Sequence, residues 1–190
     1  VGTRGGGVTV IDLQRRTRQQ FQHDADDAGS LSGNAIVDIA EDVDGRIWIA
    51  SEGGLDSIDA GSGNVTRWSP RIAAGLPEGA RRQVAALQID ERGTLWLATG
   101  YGLGRLDPVA GTFSLLQHDA ADARSLPDNR VTALLQDSQR RIWVGTRRGL
   151  ALLDRRSGGF NVVRHEPGDP TSLPDDHITS LFEDRGGVLW

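Results

Sequence analysis

In the stretch "VTALLQD", which begins at Val131, the residues Val131, Ala133 and Leu135 fall on one face. A period of two is the mark of a half-buried strand. The same short alternation returns in "AIVDIAED", "VAALQID" and "ITSLFED". After each comes an Asp-bearing turn and a β-rich run with a Trp inside it: "EDVDGRIWIAS", "DERGTLWLAT", "DSQRRIWVGT" and "EDRGGVLW". A glycine and a third apolar run follow, and that run ends on Asp12, Asp59, Asp107 or Asp154. Nine positions beyond each Asp stands a large apolar residue: Phe21, Trp68, Leu116 and Val163. The pattern predicts four strands per unit, A to D, with Gly or Asp-Gly turns between them. In the third full unit they fall at about 131–136, 141–146, 150–154 and 160–164. No segment carries a long stripe at helical spacing.

Trp48, Trp96, Trp143 and Trp190 follow one another at steps of 48, 47 and 47 residues. A fixed period in this range signals a repeat architecture, and four antiparallel strands per repeat signal a propeller blade. The Gly-His and Trp-Asp signatures of WD40 blades are missing, and a β-solenoid has a shorter period. The expectation is an all-β chain, a β-propeller of four-stranded antiparallel blades. It holds about four blades' worth of sequence over residues 1–190, in units of about 1–48, 49–96, 97–143 and 144–190. Three blades are whole. B–C–D strands stand alone at the start, and A with half of B at the end. These partial blades are complementary. Either they pair to close a four-bladed ring, or they are cut ends of a larger propeller. The break inside a strand favours the second.

The strand-B tryptophans, Trp48, Trp96, Trp143 and Trp190, read as structural wedges between blades. A buried Trp removes roughly 150–250 Å² from water, about 4–6 kcal/mol as an upper bound. Two positions on, the residue is always small: Gly2, Ala50, Ala98 and Gly145. A small side chain lets the neighbouring blade approach near the axis. The glycines at 7, 54, 102 and 149 are expected to close the B–C turns with positive φ.

Composition narrows the chemistry. The chain has no Cys, which excludes disulfides and thiolate catalysis, and no Lys, which excludes Schiff bases and a P-loop lysine. A formal net charge of -5 argues against a general nucleic-acid binder. No apolar run approaches the ~20 residues of a membrane-spanning helix. With no Met and no signal-peptide pattern at Val1, the chain reads as a piece of something longer.

The stretch "SLPDNRVTALLQDSQRRIWVGTRRGLALLD" resembles the two-component regulator propeller repeat. The matching residues are Ser125, Leu126, Pro127, Asn129, Asp137, Trp143, Gly145, Thr146, Gly149 and Leu150. The resemblance extends over the whole chain and weakens in the second unit, where "SPRIAAGLPEGARR" replaces the loop. It implies a propeller of about seven blades. It also implies a periplasmic place in a membrane receptor, whose output is a histidine kinase or a diguanylate cyclase. Receptor self-association in the full-length protein is part of that implication, and membrane contact by this segment is not.

Candidate binding residues are those that vary between copies on a fixed frame. The B–C turns hold Arg4, Glu52, Tyr101 and the pair Arg147 and Arg148. Arginine suits bidentate recognition of carboxylate, sulfate or phosphate, and Tyr101 could stack on a sugar ring. On the same face the starts of strand A add Arg130 and His177. Asn34 and Asn129 read instead as local turn caps. The competing account of the turn residues is a solvated loop. His23, His118 and His165 each precede an acid, which in isolation suggests a metal. As equivalents in different blades they lie too far apart to share one ion, so a structural role is expected and no metal or cofactor. "DVDGR" at Asp42 begins like an EF-hand loop but lacks the remaining ligands. "GYGLG" at Gly100 has no following helix to hold a pyrophosphate.

Two functions remain. One is a non-catalytic sensory module that binds a small molecule or oligosaccharide. The other is a propeller lyase or glycosidase acting on polysaccharide. That reading needs converging catalytic groups, and Glu52 and His177 are the only unusual ones on the right face.

Overall fold

The alternating runs form strands in the computed structural model, which describes residues 1–78 and 84–190. Two units are resolved, Val1–Leu87 and Gln88–Trp190. In the first, β1 (Val8–Asp12) and β2 (Thr17–Phe21) form a two-stranded antiparallel sheet. Next, β3 (Ile36–Glu41), β4 (Arg46–Ser51), β5 (Gly54–Asp59) and β6 (Val65–Arg67) form a four-stranded meander. The replaced loop of this repeat carries a short helix, α1 (Ser69–Ala74), started by Pro70 and stopped at Gly75. Positions 79–82 of that loop lie outside the described residues.

The second unit contains two more meanders. One is β7 (Ala86–Ile89), which starts at the end of the first unit, with β8 (Leu95–Thr99), β9 (Gly102–Asp107) and β10 (Thr112–Leu116). The other is β11 (Val131–Gln136), β12 (Ile142–Thr146), β13 (Gly149–Leu153) and β14 (Phe160–Val163). An antiparallel bridge, Glu183 to Leu189, starts a further hairpin. The fold is therefore all-β, and its four-stranded sheets are propeller blades. Among the described residues no helix is long and apolar enough to cross a membrane.

Alternation explains the packing. Ile47 and Ile49 flank Trp48 and point to the opposite face. There Ile49 joins Val8, Leu31 and Ile58 in a buried cluster, with Phe21, Ile36, Ile39 and Ile47 packed against it. This apolar layer lies between the β1–β2 sheet and the β3–β6 sheet.

One Asp per repeat closes the A–B hairpin. In Asp42, Asp90, Asp137 and Asp184, Oδ1 accepts the backbone N–H groups two and four residues on, at 2.8–3.1 Å. Oδ2 accepts the indole N–H of the Trp six residues on, at 2.8–3.0 Å. The carboxylate thus ties the turn to the side chain that the next strand places on the sheet. Three of these turns use a glycine with positive φ, and "DSQRR" puts Arg140 there at φ 63°.

The tryptophans differ in environment. Trp48 is fully buried, Trp96 is 5% exposed, and Trp143 is half-buried. Trp48 also meets Trp68, which follows β6 and caps α1, with ring centroids 5.0 Å apart. Trp190 departs from the expected burial and stands 73% exposed. Trp48 and Trp96 are each flanked by a third strand, β5 and β9, whereas Trp190 has only the Glu183–Leu189 bridge beside it.

The small residues sit at close approaches. A Cβ on Gly2 would lie 2.6 Å from Ile36 Cγ2, and one on Gly145 would lie 2.6 Å from Ile178 Cγ2. Ala50 and Ala98 are fully buried. The B–C turn glycines Gly7, Gly54, Gly102 and Gly149 all have positive φ, from 69° to 136°. At Gly102 a Cβ would also meet Leu116 O at 2.3 Å, so both space and torsion require glycine.

Candidate functional site

The B–C turns are held against the starts of the A strands that follow them. In the second unit Gly149 N donates to Asp176 O at 2.8 Å, and Ile178 N donates to Thr146 O at 3.0 Å. These bonds bring Arg147, Arg148 and His177 together on one face. In the first unit the same pattern joins Gly7 N to Asn34 O and Ile36 N to Thr3 O, which sets Arg4 beside the start of β3. Arg130 takes the place in its loop that His177 takes in the next. Their backbone N–H groups donate to Asp128 and Asp175, both at 2.6 Å.

The side chains of Arg4, Arg130, Arg147, Arg148 and His177 are exposed, with no hydrogen-bond or ion-pair partner among the described residues. Glu52 is different. Its carboxylate accepts the Asn34 N–H at 3.1 Å, and its own N–H donates to Ala35 O, so it holds the start of its own blade. Tyr101 is half-buried in the β8–β9 turn, where its N–H donates to Thr99 Oγ1 at 3.1 Å. Glu52 and Arg4 belong to the first unit, and the other five candidates to the second.

The loops before strand A are stapled in one way. The His23, His118 and His165 N–H groups donate to Asn34, Asn129 and Asp176 side chains, each at 2.7 Å. The imidazole Nδ1 atoms lie 2.6–2.7 Å from the carbonyls of Leu31, Leu126 and Leu173. A carbonyl only accepts, so each Nδ1 carries the proton. These histidines hold loop backbone. At Asp42 both carboxylate oxygens face the turn and Trp48, which accounts for "DVDGR" without a cation.

A recess of about 620 Å³ opens beside this loop in the second unit. Arg148 and Arg164 line it, with His118, Asp119, Pro127 and Glu166. Asp119 turns one carboxylate oxygen back to Ala121 N–H at 2.9 Å. Neither arginine has an ion-pair partner among the described residues. Arg164 escapes a reading based on turns because it follows strand D. A signal was nonetheless present: its equivalents, Gln22, Ser69 and Gln117, are neutral.

Beneath the face in the first unit lies a buried acid, Asp56. Ser32 Oγ and N–H both donate to it, at 2.5 and 2.7 Å. Burial pushes the Asp56 carboxyl above its ordinary value, against the downward pull of the Ser32 bonds and of nearby Arg67. The native state therefore holds this proton more tightly than the unfolded chain. Stability falls as pH rises from the ordinary carboxylate value through the raised one. Asp56→Asn does not titrate. Its stability relative to wild type is expected to improve steadily across that window, in urea unfolding at pH 4 and pH 7. A difference that stays constant with pH would contradict this.

The family described as two component regulator propeller matches at residues 30–53 and 125–148. No curated protein matches the chain. Among solved structures, the extracellular domain of a one component system from B. thetaiotaomicron is similar at 21% identity and TM-score 0.79. That likeness covers 100% of this chain and 24% of that one. The extracellular domain of a hybrid two component system from the same organism is 19% identical, with TM-score 0.71, over 100% of this chain and 30% of that one. This chain thus spans a quarter to a third of the length of these two. The virginiamycin B lyase of Staphylococcus aureus, solved with quinupristin, is more distant. It is 15% identical with TM-score 0.63, over 93% of this chain and 53% of that one.

Proposed function

We propose that this chain, which matches the two component regulator propeller family at residues 30–53 and 125–148, is a ligand-sensing segment of a bacterial membrane receptor. It lies in the periplasm and does no chemistry itself. The observation that carries the ligand role is the pair Arg148 and Arg164. They are two cations without ion-pair partners among the described residues, on the wall of a recess large enough for a sugar ring or two. Guanidinium groups in that position select a carboxylate or sulfate on the ligand. An acidic oligosaccharide or an anionic metabolite fits this better than a neutral sugar. Arg147 and His177 extend the same face.

Signalling then requires the ligand to bind one arrangement of the receptor better than another. The extracellular domains of signalling systems are more similar to this chain than the lyase is, which supports sensing over catalysis. The loop-holding bond of Glu52 supports it too, because that carboxylate already serves Asn34.

A thermal-shift screen of uronate-containing oligosaccharides and anionic metabolites tests the proposal. A hit is expected to weaken about tenfold or more in Arg148→Ala, equivalent to ~1.4 kcal/mol. Arg164→Ala is expected to behave alike. A ligand that binds both variants as it binds wild type would refute the site. Turnover of the ligand would refute the non-catalytic reading.

A further inference from the structure

On the edge of the second unit away from the B–C turns, a cleft of about 150 Å³ lies beside Trp96. Three directly paired residues form one of its walls: Trp96 on β8, Arg105 on β9 and Ser114 on β10. Residues paired directly across strands share a face. Arg155, from the turn after β13, covers the cleft from the neighbouring blade.

The other blades show what is unusual here. In the first full blade the same row is Trp48, Ser57 and Thr66. There Trp68 fills the adjoining space. It lies 5.0 Å from Trp48, and its indole N–H donates to Ser57 Oγ at 2.9 Å. In the cleft blade Leu116 stands where Trp68 stands, and Arg105 stands where Ser57 stands. In the last full blade the row is Trp143, Leu152 and Asn161, with no arginine. The cleft blade thus lacks the Trp plug of the first full blade and is the one of the three that places an arginine within the row itself.

The charges around the opening do not cancel. Asp90 is fully engaged: its oxygens accept Arg92 N, Thr94 N, the Trp96 indole and Arg155, the last at 3.2 Å. Glu91 pairs with Arg155 at 3.1 Å. Arg105 has no carboxylate partner among the described residues, and its guanidinium lies 6.0 Å from the Trp96 ring centroid. Arg155 Nε is buried and has no hydrogen-bond acceptor.

We propose that the Trp96–Arg105–Ser114 cleft, closed by Arg155, is a binding site for a small oxyanion such as sulfate or a short carboxylate. A cleft of about 150 Å³ suits a group of that size. Arg105 supplies the charge and Ser114 a hydroxyl donor. The site is separate from the recess at Arg148 and does not depend on it.

The test uses the 190-residue chain titrated with sodium sulfate and, separately, sodium acetate, at an ionic strength held constant with chloride. The chain has five Trp residues, so its indole N–H resonances are few and resolvable by NMR. The expected result is a saturable shift of the Trp96 indole, assigned by its loss in Trp96→Phe. A sulfate response with none to acetate assigns a tetrahedral anion, and the reverse assigns a carboxylate. Arg105→Leu, which copies the neighbouring blade at Leu152, is expected to weaken binding at least tenfold. Leu116→Trp is expected to block it by restoring the plug. Absence of any saturable shift in the wild-type chain with both anions overturns the proposal, whatever the variants do. Equal binding by wild type and Arg105→Leu overturns it as well.

Discussion

Trp48→Ala lowers the unfolding free energy by about 4 kcal/mol, the range for emptying a buried aromatic site. The indole has no exposed surface, so its removal leaves a void and not a solvated dent. Two further losses add to the void. Asp42 loses the indole donor at 2.8 Å, and Trp68 loses the ring that packs 5.0 Å away. The surrounding residues are strand residues with paired backbones, which limits collapse into the space. Urea unfolding followed by far-UV circular dichroism measures the change. Trp190→Ala is the internal control, because that indole is 73% exposed, and it should cost under about 0.5 kcal/mol. A loss below about 1 kcal/mol at Trp48, or a comparable loss at both sites, would contradict the packing described above.

Asp137→Ala is next in size, at about 3 kcal/mol. The Asp137 side chain is 2% exposed and accepts from Gln139 N, Arg141 N, Arg141 Nε and the Trp143 indole. Alanine leaves these donors without their acceptor. It also frees the turn in which Arg140 holds a φ of 63°, a torsion that few non-glycine residues adopt. Desolvation works to raise the Asp137 carboxyl, but the bonds from Trp143 and Arg141 together outweigh it and hold it below its ordinary value. A depressed carboxyl contributes stability above the unfolded value of about 3.9 and loses it as pH falls through the folded one. The gap between wild type and Asp137→Asn should therefore narrow as pH drops from 7 to 3. Urea midpoints at the two values read this directly, and a gap that widens in acid would reverse the assignment.

Much of the architecture was legible in the order of residues. Alternation at Val131, Ala133 and Leu135 placed β11 over the residues it occupies, and β12 to β14 fall within a residue or so of their expected bounds. The glycines at 54, 102 and 149 pointed to positive φ because a tight turn leaves few other solutions. The helix at Ser69–Ala74 was not legible, since six residues carry too little period to register.

The candidate site was legible only in part. Turn positions and their variation singled out Arg148, but not its partner in the recess, Arg164, nor the shared bonding of Glu52. Those depend on which loop folds back beside which turn, and that follows from the stacking of blades and not from local propensity.

The sequence by itself determined the repeat, the strand period, the turn chemistry and the one Asp–Trp pair per blade, because these are local rules applied every 47 or 48 residues. Only the tertiary structure decided which equivalent positions became different. It buried Trp48 fully and left Trp143 half-buried, filled one row with Trp68 and opened the next beside Arg105. The reason is that burial and charge balance depend on what the neighbouring strand and blade bring to each position, and a residue's own place in its repeat does not contain that information.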